Sequence, residues 1–417
     1  MSSRDHRFGR GVVGAALSLS VTTIGAGVLA IPSTFQDGGI YLVLGVLAIV
    51  GALTVLSIDY LIRCVDCLHL KSYEDISREL LGRWCEETVR WILILYSIGI
   101  AAGYIVVIGE IFTPMLPLIQ PRVPFLKDSS HVMIMTWFFV MLPLSCIPNI
   151  THLNRISVIA ITATFLMSVI VVYRYFVPYS GSRNSAVTAA PAKAGGDLKY
   201  FRFSYRSLLA LPVVMFAFDC QSLVFQVYAG LQSPSRHSMA KVATSSVLVT
   251  SVVYGLVGFF GYATNTPHVH GNILTNYNPM RDPLFAVGQT FYSLTVNVAY
   301  VLILIPCRDA ILQMWFGFSH THDSLEIPRH GNLFVSILLS FLCLCLALLA
   351  PEFLYIVALM GAFCSSTLCF TYPALFRQRL HVLGLAPYTG YERLAVKAMY
   401  FLGFVGFMLG FFALFGV

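Results

Sequence analysis

The sequence predicts an all-α polytopic membrane protein, and three observations carry that prediction. Of 417 residues, 57% are hydrophobic and only 11% are charged, against roughly 25% charged in ordinary soluble domains. Mean hydropathy is +0.78, so much of the apolar surface must face something other than water. Finally, the chain contains a series of membrane-length stretches almost free of Asp, Glu, Lys and Arg.

A bilayer core about 30 Å thick takes about 20 apolar residues per helix. In chain order the stretches are Gly11–Gln36, Gly38–Ile58, Trp91–Gly109, Val132–Asn154, Ile156–Tyr173, Ser207–Ser235, Val242–Met280, Pro283–Cys307, Gly331–Pro351, Phe353–Phe376 and Ala398–Val417. The sixth is interrupted only by Asp219. The seventh is too long for one span. Its tail, "NTPHVHGNILTNYNP", is polar and rich in Pro and Asn, and reads as a loop. Eleven transmembrane helices are therefore expected.

Orientation follows from the basic residues. With the N-terminus cytosolic, inner segments hold seventeen of the 26 Lys and Arg and outer segments nine, the bias expected of cytosolic loops. The C-terminus is then extracytosolic. The stretch "SGSRNSAVTAAPAKAGGD" becomes a flexible external loop, and the sequon Asn149-Ile150-Thr151 falls inside. The inner stretch "KSYEDISRELLGR" carries Ile76, Leu80 and Leu81 on one side and reads as a short interfacial helix. The predicted organisation is a cytosolic N-terminus (1–10), a first five-helix repeat (11–178), an extracytosolic loop (179–205), a second five-helix repeat (206–376), and a cytosolic loop with the eleventh helix (377–417).

The net charge of +7 belongs to this topology and implies no nucleic-acid partner. The ten cysteines lie mostly within apolar runs and behave as small hydrophobes. Cys64 and Cys67 form a C-x-x-C with no second pair, so neither a metal nor a redox site is expected. No catalytic constellation appears at membrane depth, and no cofactor is expected.

The first span contains "TTIGAGVLAIP", in which Gly25, Ala26 and Gly27 fit a G-x-G-x-x-A pattern. A dinucleotide fingerprint needs a preceding strand and a βαβ unit, and here the flanks are membrane-length apolar sequence. Two readings remain. Small residues permit close helix packing. Alternatively, Gly25 and Gly27 break the helix at mid-span, which is tolerated only where backbone is buried or lines a polar cavity. A break exposes N–H groups at the start of the second half-helix, from about Gly27, and that positive end suits a carboxylate. The sixth span, "PVVMFAFDCQSLVFQVY", carries the matching interruption. Asp219, Gln221 and Ser222 form a polar step between Phe216, Phe218 and Phe225. A mid-membrane carboxylate is costly and marks function. If the two halves are inverted repeats, the two interruptions correspond and point to a binding site at the midplane.

Beyond these features, "LSLSVTTIGAGVLAIPSTFQDGG" resembles the first helix of the amino acid/auxin permease family. Further stretches agree in order: "SYEDISRELLG", "GYIVVIGEIFTPML", "LPLSCIPNITHLNRIS", "VYAGLQSPSRHSMAKV" and "LIPCRDAILQMWFG". The chain is similar to that family's sodium-coupled neutral amino-acid transporters and to its protozoan permeases. The resemblance implies a LeuT-like fold, two inverted five-helix repeats plus one C-terminal helix, with helices one and six broken around a central site. It implies that the backbone around Thr22, Thr23, Gly25, Ala26 and Gly27 holds the substrate carboxylate. Phe216, Phe218, Asp219, Cys220 and Ser222 would take the amino group and line the side-chain pocket. Tyr104 would flank the site. Glu110 stands where the family has an acid near the outer end of helix three, to gate or to position that end. Asn297 is a further polar group inside a span, for substrate or for packing.

Two positions depart from the family pattern. Sodium-coupled members place an Asn where this chain has Val21, and a hydroxyl near Ala299. A valine side chain offers no oxygen to a cation, so sodium coupling is not expected. Asp219 is unusual among neutral-substrate members. It could pair with a cationic side chain or take up a coupling proton. The expected function is secondary transport of cationic or small neutral amino acids by alternating access, driven by protons or by the substrate gradient alone. An amino-acid sensor with the same fold is the alternative. The expected setting is the plasma membrane rather than a lysosome or vacuole, and the expected functional unit is a monomer.

Overall fold

In lipid every backbone polar group must find its partner inside the protein, which for these apolar sequences selects helices. The computed structural model describes residues 11–70, 72–116, 128–146, 153–177, 198–316, 329–350 and 352–415. Among them the chain is all helix, turn and loop. The helices are α1 (Val12–Ile24), α2 (Gly27–Gly38), α3 (Ile40–Leu68), α4 (Tyr73–Leu81), α5 (Arg83–Phe112), α6 (Ser129–Ser145), α7 (Leu153–Phe176), α8 (Ala210–Ala217), α9 (Gln221–Ala229), α10 (Arg236–Asn265), α11 (Pro283–Phe316), α12 (Arg329–Leu349), α13 (Phe353–Val382) and α14 (Gly390–Phe415). Among the described residues, eight spans are long and apolar enough to cross a membrane. The two halves of the broken first span (13 and 12 residues), α6 and the stretch Thr162–Phe176 of α7 are shorter.

The charge-free runs locate these helices but misjudge their ends. Helix α5 begins at Arg83 rather than Trp91, and α11 continues through Arg308 to Phe316. Helix α13 reaches Val382 and α14 starts at Gly390. Charges end the apolar run but not the helix, because they sit in polar pairs. The long seventh run resolves as expected, with α10 ending at Asn265 before a loop. Helix α4 starts at an N-cap in which Ser72 Oγ accepts the Asp75 N–H at 3.0 Å, with Glu74 and Asp75 in its positive first turn.

Packing divides the chain into two units that each draw on both halves of the sequence. One comprises Met1–Ile92, Lys199–Phe259 and Ala358–Val417, the other Leu93–Leu198 and Phe260–Val357. Within the first, α13 carries a π-helical stretch, Gly361–Thr371, wedged between α8 and α14. A Cβ on Gly361 would fall 1.9 Å from the Pro212 carbonyl oxygen, and one on Gly410 would fall 2.3 Å from the Ala362 Cβ. Only glycine allows either approach. The same unit holds a buried ion cluster. Arg377, fully buried, donates to Glu392 at 2.6 Å and to the carbonyls of Ala386 and Pro387, each at 2.8 Å. Arg63 reaches Glu392 at 2.5 Å and Asp59 at 3.0 Å. These pairs tie α3, α13 and α14 together.

In the second unit, Trp137 Nε1 donates to Ser340 Oγ at 2.8 Å, and Tyr300 shares a 2.7 Å hydrogen bond with the same hydroxyl. Arg174 pairs with Asp282 at 2.6 Å.

Candidate functional site

The first unit brings two interrupted spans together. Helix α1 stops at Ile24, Gly25 and Ala26 form a turn, and α2 restarts at Gly27. Gly25 has φ of +26°, a backbone region that side chains with a Cβ seldom occupy. Helix α2 has no side-chain cap at Ala26, so its positive end is left to backbone N–H groups. Helix α8 stops at Ala217, Phe218 to Cys220 are non-helical, and α9 restarts at Gln221.

The breaks touch. A Cβ on Gly27 would lie 2.9 Å from Ala217 Cα, so the start of α2 packs on the end of α8. One side chain of α10 serves both helix ends. The fully buried Tyr254 hydroxyl lies 2.9 Å from the Thr23 carbonyl oxygen and 2.6 Å from that of Ala217. These carbonyls belong to the last turns of α1 and α8, where the helices supply no donor of their own. The Phe218 ring meets the Tyr254 ring edge-on at 5.4 Å.

Around the second break the polar groups form one connected set. Ser365, on the π-helical stretch of α13, donates to Asp219 Oδ2 at 2.7 Å. The Cys369 thiol also meets the Asp219 carboxylate and lies 2.9 Å from Gln221 Oε1. Gln221 Oε1 accepts the Cys220 N–H at 3.0 Å, and its Nε2 donates to Ser57 Oγ at 3.3 Å. The Cys220 thiol is hydrogen-bonded to the Thr23 side chain, linking the two breaks again. From α4, Tyr73 donates to the Leu368 carbonyl at 2.7 Å. Burial, followed by the neighbouring Cys369, Tyr372, Asp219 and Cys64, raises the Tyr73 phenol well above its ordinary range.

Of the residues named from sequence, Thr23, Gly25, Ala26, Gly27, Phe216, Phe218, Asp219 and Cys220 are gathered here. Phe216, Phe218 and Cys220 are buried, while Asp219 is only partly so. Ser222 lies one position into α9 and is exposed. The Thr22 and Val21 side chains lie outside the described residues. Tyr104, Asn297 and Glu110 belong to the second unit. There Asn297 is buried and gives its amide to Ser293 of its own helix at 2.7 Å. Glu110 accepts from Asn272 Nδ2 at 2.9 Å and from the Phe353 N–H at 2.9 Å. It caps α13 and anchors the loop that follows α10. Residues the sequence reading missed are Ser57, Tyr254, Ser365, Cys369 and Tyr73. Four of them share one signal, a hydroxyl or thiol inside an apolar span, densest in "GAFCSSTLCFT", which does not say which helix each one faces; Tyr73 instead lies in the polar helix α4.

Two hydroxyls near the first break donate to backbone carbonyls of their own helix, and Ser20 Oγ also lies 3.2 Å from Ser246 Oγ on α10. Thr23 Oγ1 donates to Leu19 O at 2.7 Å, and Ser20 Oγ donates to Ala16 O at 2.8 Å. Among the described residues, no group of three or more His, Cys, Asp or Glu is placed to hold a metal ion.

The family model described as "Transmembrane amino acid transporter protein" matches residues 9–417. Among solved structures, the chain is similar to a Na+-coupled sialic acid symporter in a substrate-bound outward-open state. Identity there is 14%, covering 97% of this chain and 89% of that one, with a TM-score of 0.58. It is also similar to Mhp1 in an inward-facing conformation, with 13% identity, 97% and 90% coverage and a TM-score of 0.60. A third match is Mhp1, described as a nucleobase-cation-symport-1 family transporter, in a closed conformation with bromovinylhydantoin bound. Identity is 12%, coverage 99% and 95%, and the TM-score 0.57. At these identities the likeness is one of fold.

Proposed function

Because the chain belongs to the family of transmembrane amino acid transporter proteins, and so is a transporter rather than an enzyme, we propose that it carries amino acids by alternating access around the paired helix breaks. The observation that carries this reading is the contact of the two breaks through Gly27, Ala217 and Tyr254. The start of α2 offers N–H groups to a substrate carboxylate, and the carbonyl ends of α1 and α8 suit an α-amino group. Eight candidate spans, with the broken first span, α6 and α7, make the eleven of the sequence reading. Ten of these form two inverted five-helix repeats. The N-terminus is cytosolic, the host membrane is the plasma membrane, and the functional unit is a monomer.

The substrate is a cationic or small neutral amino acid. The driving force is a proton or the substrate gradient, because the residues at the family's sodium position do not fit that ion. The Val21 side chain brings no oxygen to a cation at that position. The test is uptake of a radiolabelled amino-acid panel into proteoliposomes, with sodium or choline outside and with and without a proton gradient. Saturable uptake that survives choline is expected. Binding without flux would favour an amino-acid sensor, and strict sodium dependence would refute the coupling assignment.

A further inference from the structure

The hairpin that joins α13 to α14 is turned inside out. Its polar frame faces inward. Arg377 donates to the Ala386 and Pro387 carbonyls, each at 2.8 Å, and Glu392 accepts from Arg377 at 2.6 Å and from the Thr389 N–H at 3.0 Å. Helix α13 closes through the Gly384 and Leu385 N–H groups, which donate to the His381 and Leu380 carbonyls, each at 3.0 Å. The apolar groups face outward: Val382, Leu383, Leu385, Tyr391 and Leu394 are 49–72% exposed. Apolar side chains held out by a satisfied polar frame mark an interaction surface. One face of α14 shows what they meet. Leu394, Lys397, Phe401 and Phe404 recur at helical spacing, and all four are exposed. Phe401 and Phe404 lie within the apolar run Ala398–Val417, so this stripe faces lipid, and Leu394 and Lys397 continue it past the end of the run. At about 1.5 Å per residue, Leu394 and Val382 stand roughly 6–9 Å beyond their charge-free runs. The headgroup layer adds about 5–8 Å to each side of the hydrocarbon core, so both reach that layer. The free charges at this level are basic. Within 377–397 the one acid is Glu392, which is wholly buried. Arg379 turns toward α4, where its Nε donates to the Leu80 carbonyl at 3.1 Å. Arg393 and Lys397 are exposed, and among the described residues neither is in an ion pair. They lie four apart, on one face of α14.

We infer that Arg393 and Lys397, with the exposed apolar side chains of the hairpin, form a binding site for the headgroup of an anionic phospholipid in the cytosolic leaflet. Side chains of a helix tilt toward its N-terminus, which for α14 is the headgroup end. Lys397 therefore runs its stem along lipid and lifts its ammonium to the level of the phosphates. Arg393 presents a planar fork that takes two phosphate oxygens. Tyr391 and the leucines enter the interfacial layer, where aromatic and apolar side chains anchor a protein. A soluble protein or a second copy of the chain fits less well, because the two cations head a stripe whose lower part is committed to lipid. A lipid bound there braces the turn that supplies the Ala386 and Pro387 carbonyls to Arg377. The choice of leaflet rests on the topology proposed above; the site itself does not.

The experiment places the full chain in nanodiscs of phosphatidylcholine alone or with phosphatidylserine, and counts retained lipid by native mass spectrometry. Phosphatidylserine should be retained selectively, raise the melting temperature and slow hydrogen exchange across 383–389. High salt should weaken all three effects. Arg393→Gln/Lys397→Gln should weaken phosphatidylserine binding by about tenfold or more, and Lys397→Gln alone by about fivefold, with melting in phosphatidylcholine unchanged. Arg83→Gln, which removes an exposed basic residue at the start of α5, should bind as the parent does. Where the double variant does not reconstitute, Lys397→Gln decides by the same measurements. Equal binding in parent and variants would overturn the site. So would displacement of the lipid by inorganic phosphate, which would make it a small-anion site. So would a second chain in each disc with the hairpin protected in phosphatidylcholine, which would make it a protein interface. The discs carry lipid on both faces, so a reversed topology would leave binding intact. Reversal would show instead as cleavage of the hairpin by trypsin added outside intact cells, and would overturn the leaflet assignment alone.

Discussion

The Tyr254 hydroxyl stands 2.6 Å from the Ala217 carbonyl oxygen and shares its single proton with the Thr23 carbonyl at 2.9 Å. One phenol on α10 thus satisfies the ends of two half-helices. Tyr254→Phe would leave two buried carbonyls without this donor, at a cost of about 1–3 kcal/mol. We expect a lower melting temperature in detergent and slower uptake, with the protein still reaching the membrane. Unchanged melting and uptake would show that the tyrosine does not hold the breaks.

Contact between the breaks makes Gly27 sensitive to a single methyl. The Cβ of Gly27→Ala would meet Ala217 backbone at 2.9 Å, and backbone yields less than a flexible side chain. Overpacking of this kind costs about 1–3 kcal/mol, and it also pushes the two helix breaks apart. Uptake should fall by more than stability does. Gly45, whose Cβ would meet nothing within 4 Å, provides the control, and Gly45→Ala should transport normally.

Glu110 binds two partners rather than standing free. Its carboxylate accepts from Asn272 and from the first N–H of α13. Losing such a cap costs about 1 kcal/mol. Glu110→Ala should speed hydrogen exchange at the Phe353 amide and in the loop around Asn272. Glu110→Gln, which keeps an acceptor oxygen, should do so less. Exchange unaltered in both variants would return Glu110 to a gating role.

The buried Arg377–Glu392 pair, with both side chains wholly inside, should respond strongly to loss of one partner. Glu392→Gln leaves Arg377 without its charge partner, and unpaired buried charges of this kind cost about 3–5 kcal/mol. We expect poor yield and a sharply lowered melting temperature, while Arg236→Gln, at the exposed edge of the same cluster, should change stability by less than about 1 kcal/mol. Equal effects would mean that the cluster is not organised around the buried pair.

Much of this was legible in the chain. Apolar runs located the helices, the glycines marked the first break, and Asp219 marked the second. The missing polar partners were not legible for a common reason. Ser365, Cys369, Ser57 and Tyr254 sit in apolar spans where any hydroxyl or thiol can be satisfied by its own helix, as Ser366 and Thr367 are. Glu110 illustrates the same limit from the polar side, since gating and capping are equally open until Phe353 and Asn272 are seen beside it.

What the sequence determined by itself is the class of molecule and the places where its helices fail. Composition decides which solvent the chain meets, and local residues decide where backbone cannot stay helical. Tertiary structure alone decided what each failure faces. The Gly25–Ala26 turn met the second break when Ala217 packed on Gly27, and Asp219 acquired its frame when the π-helical stretch delivered Ser365, 146 residues further along the chain, at 2.7 Å. Contacts at that separation depend on how helices pack against one another, which no run of neighbouring residues encodes.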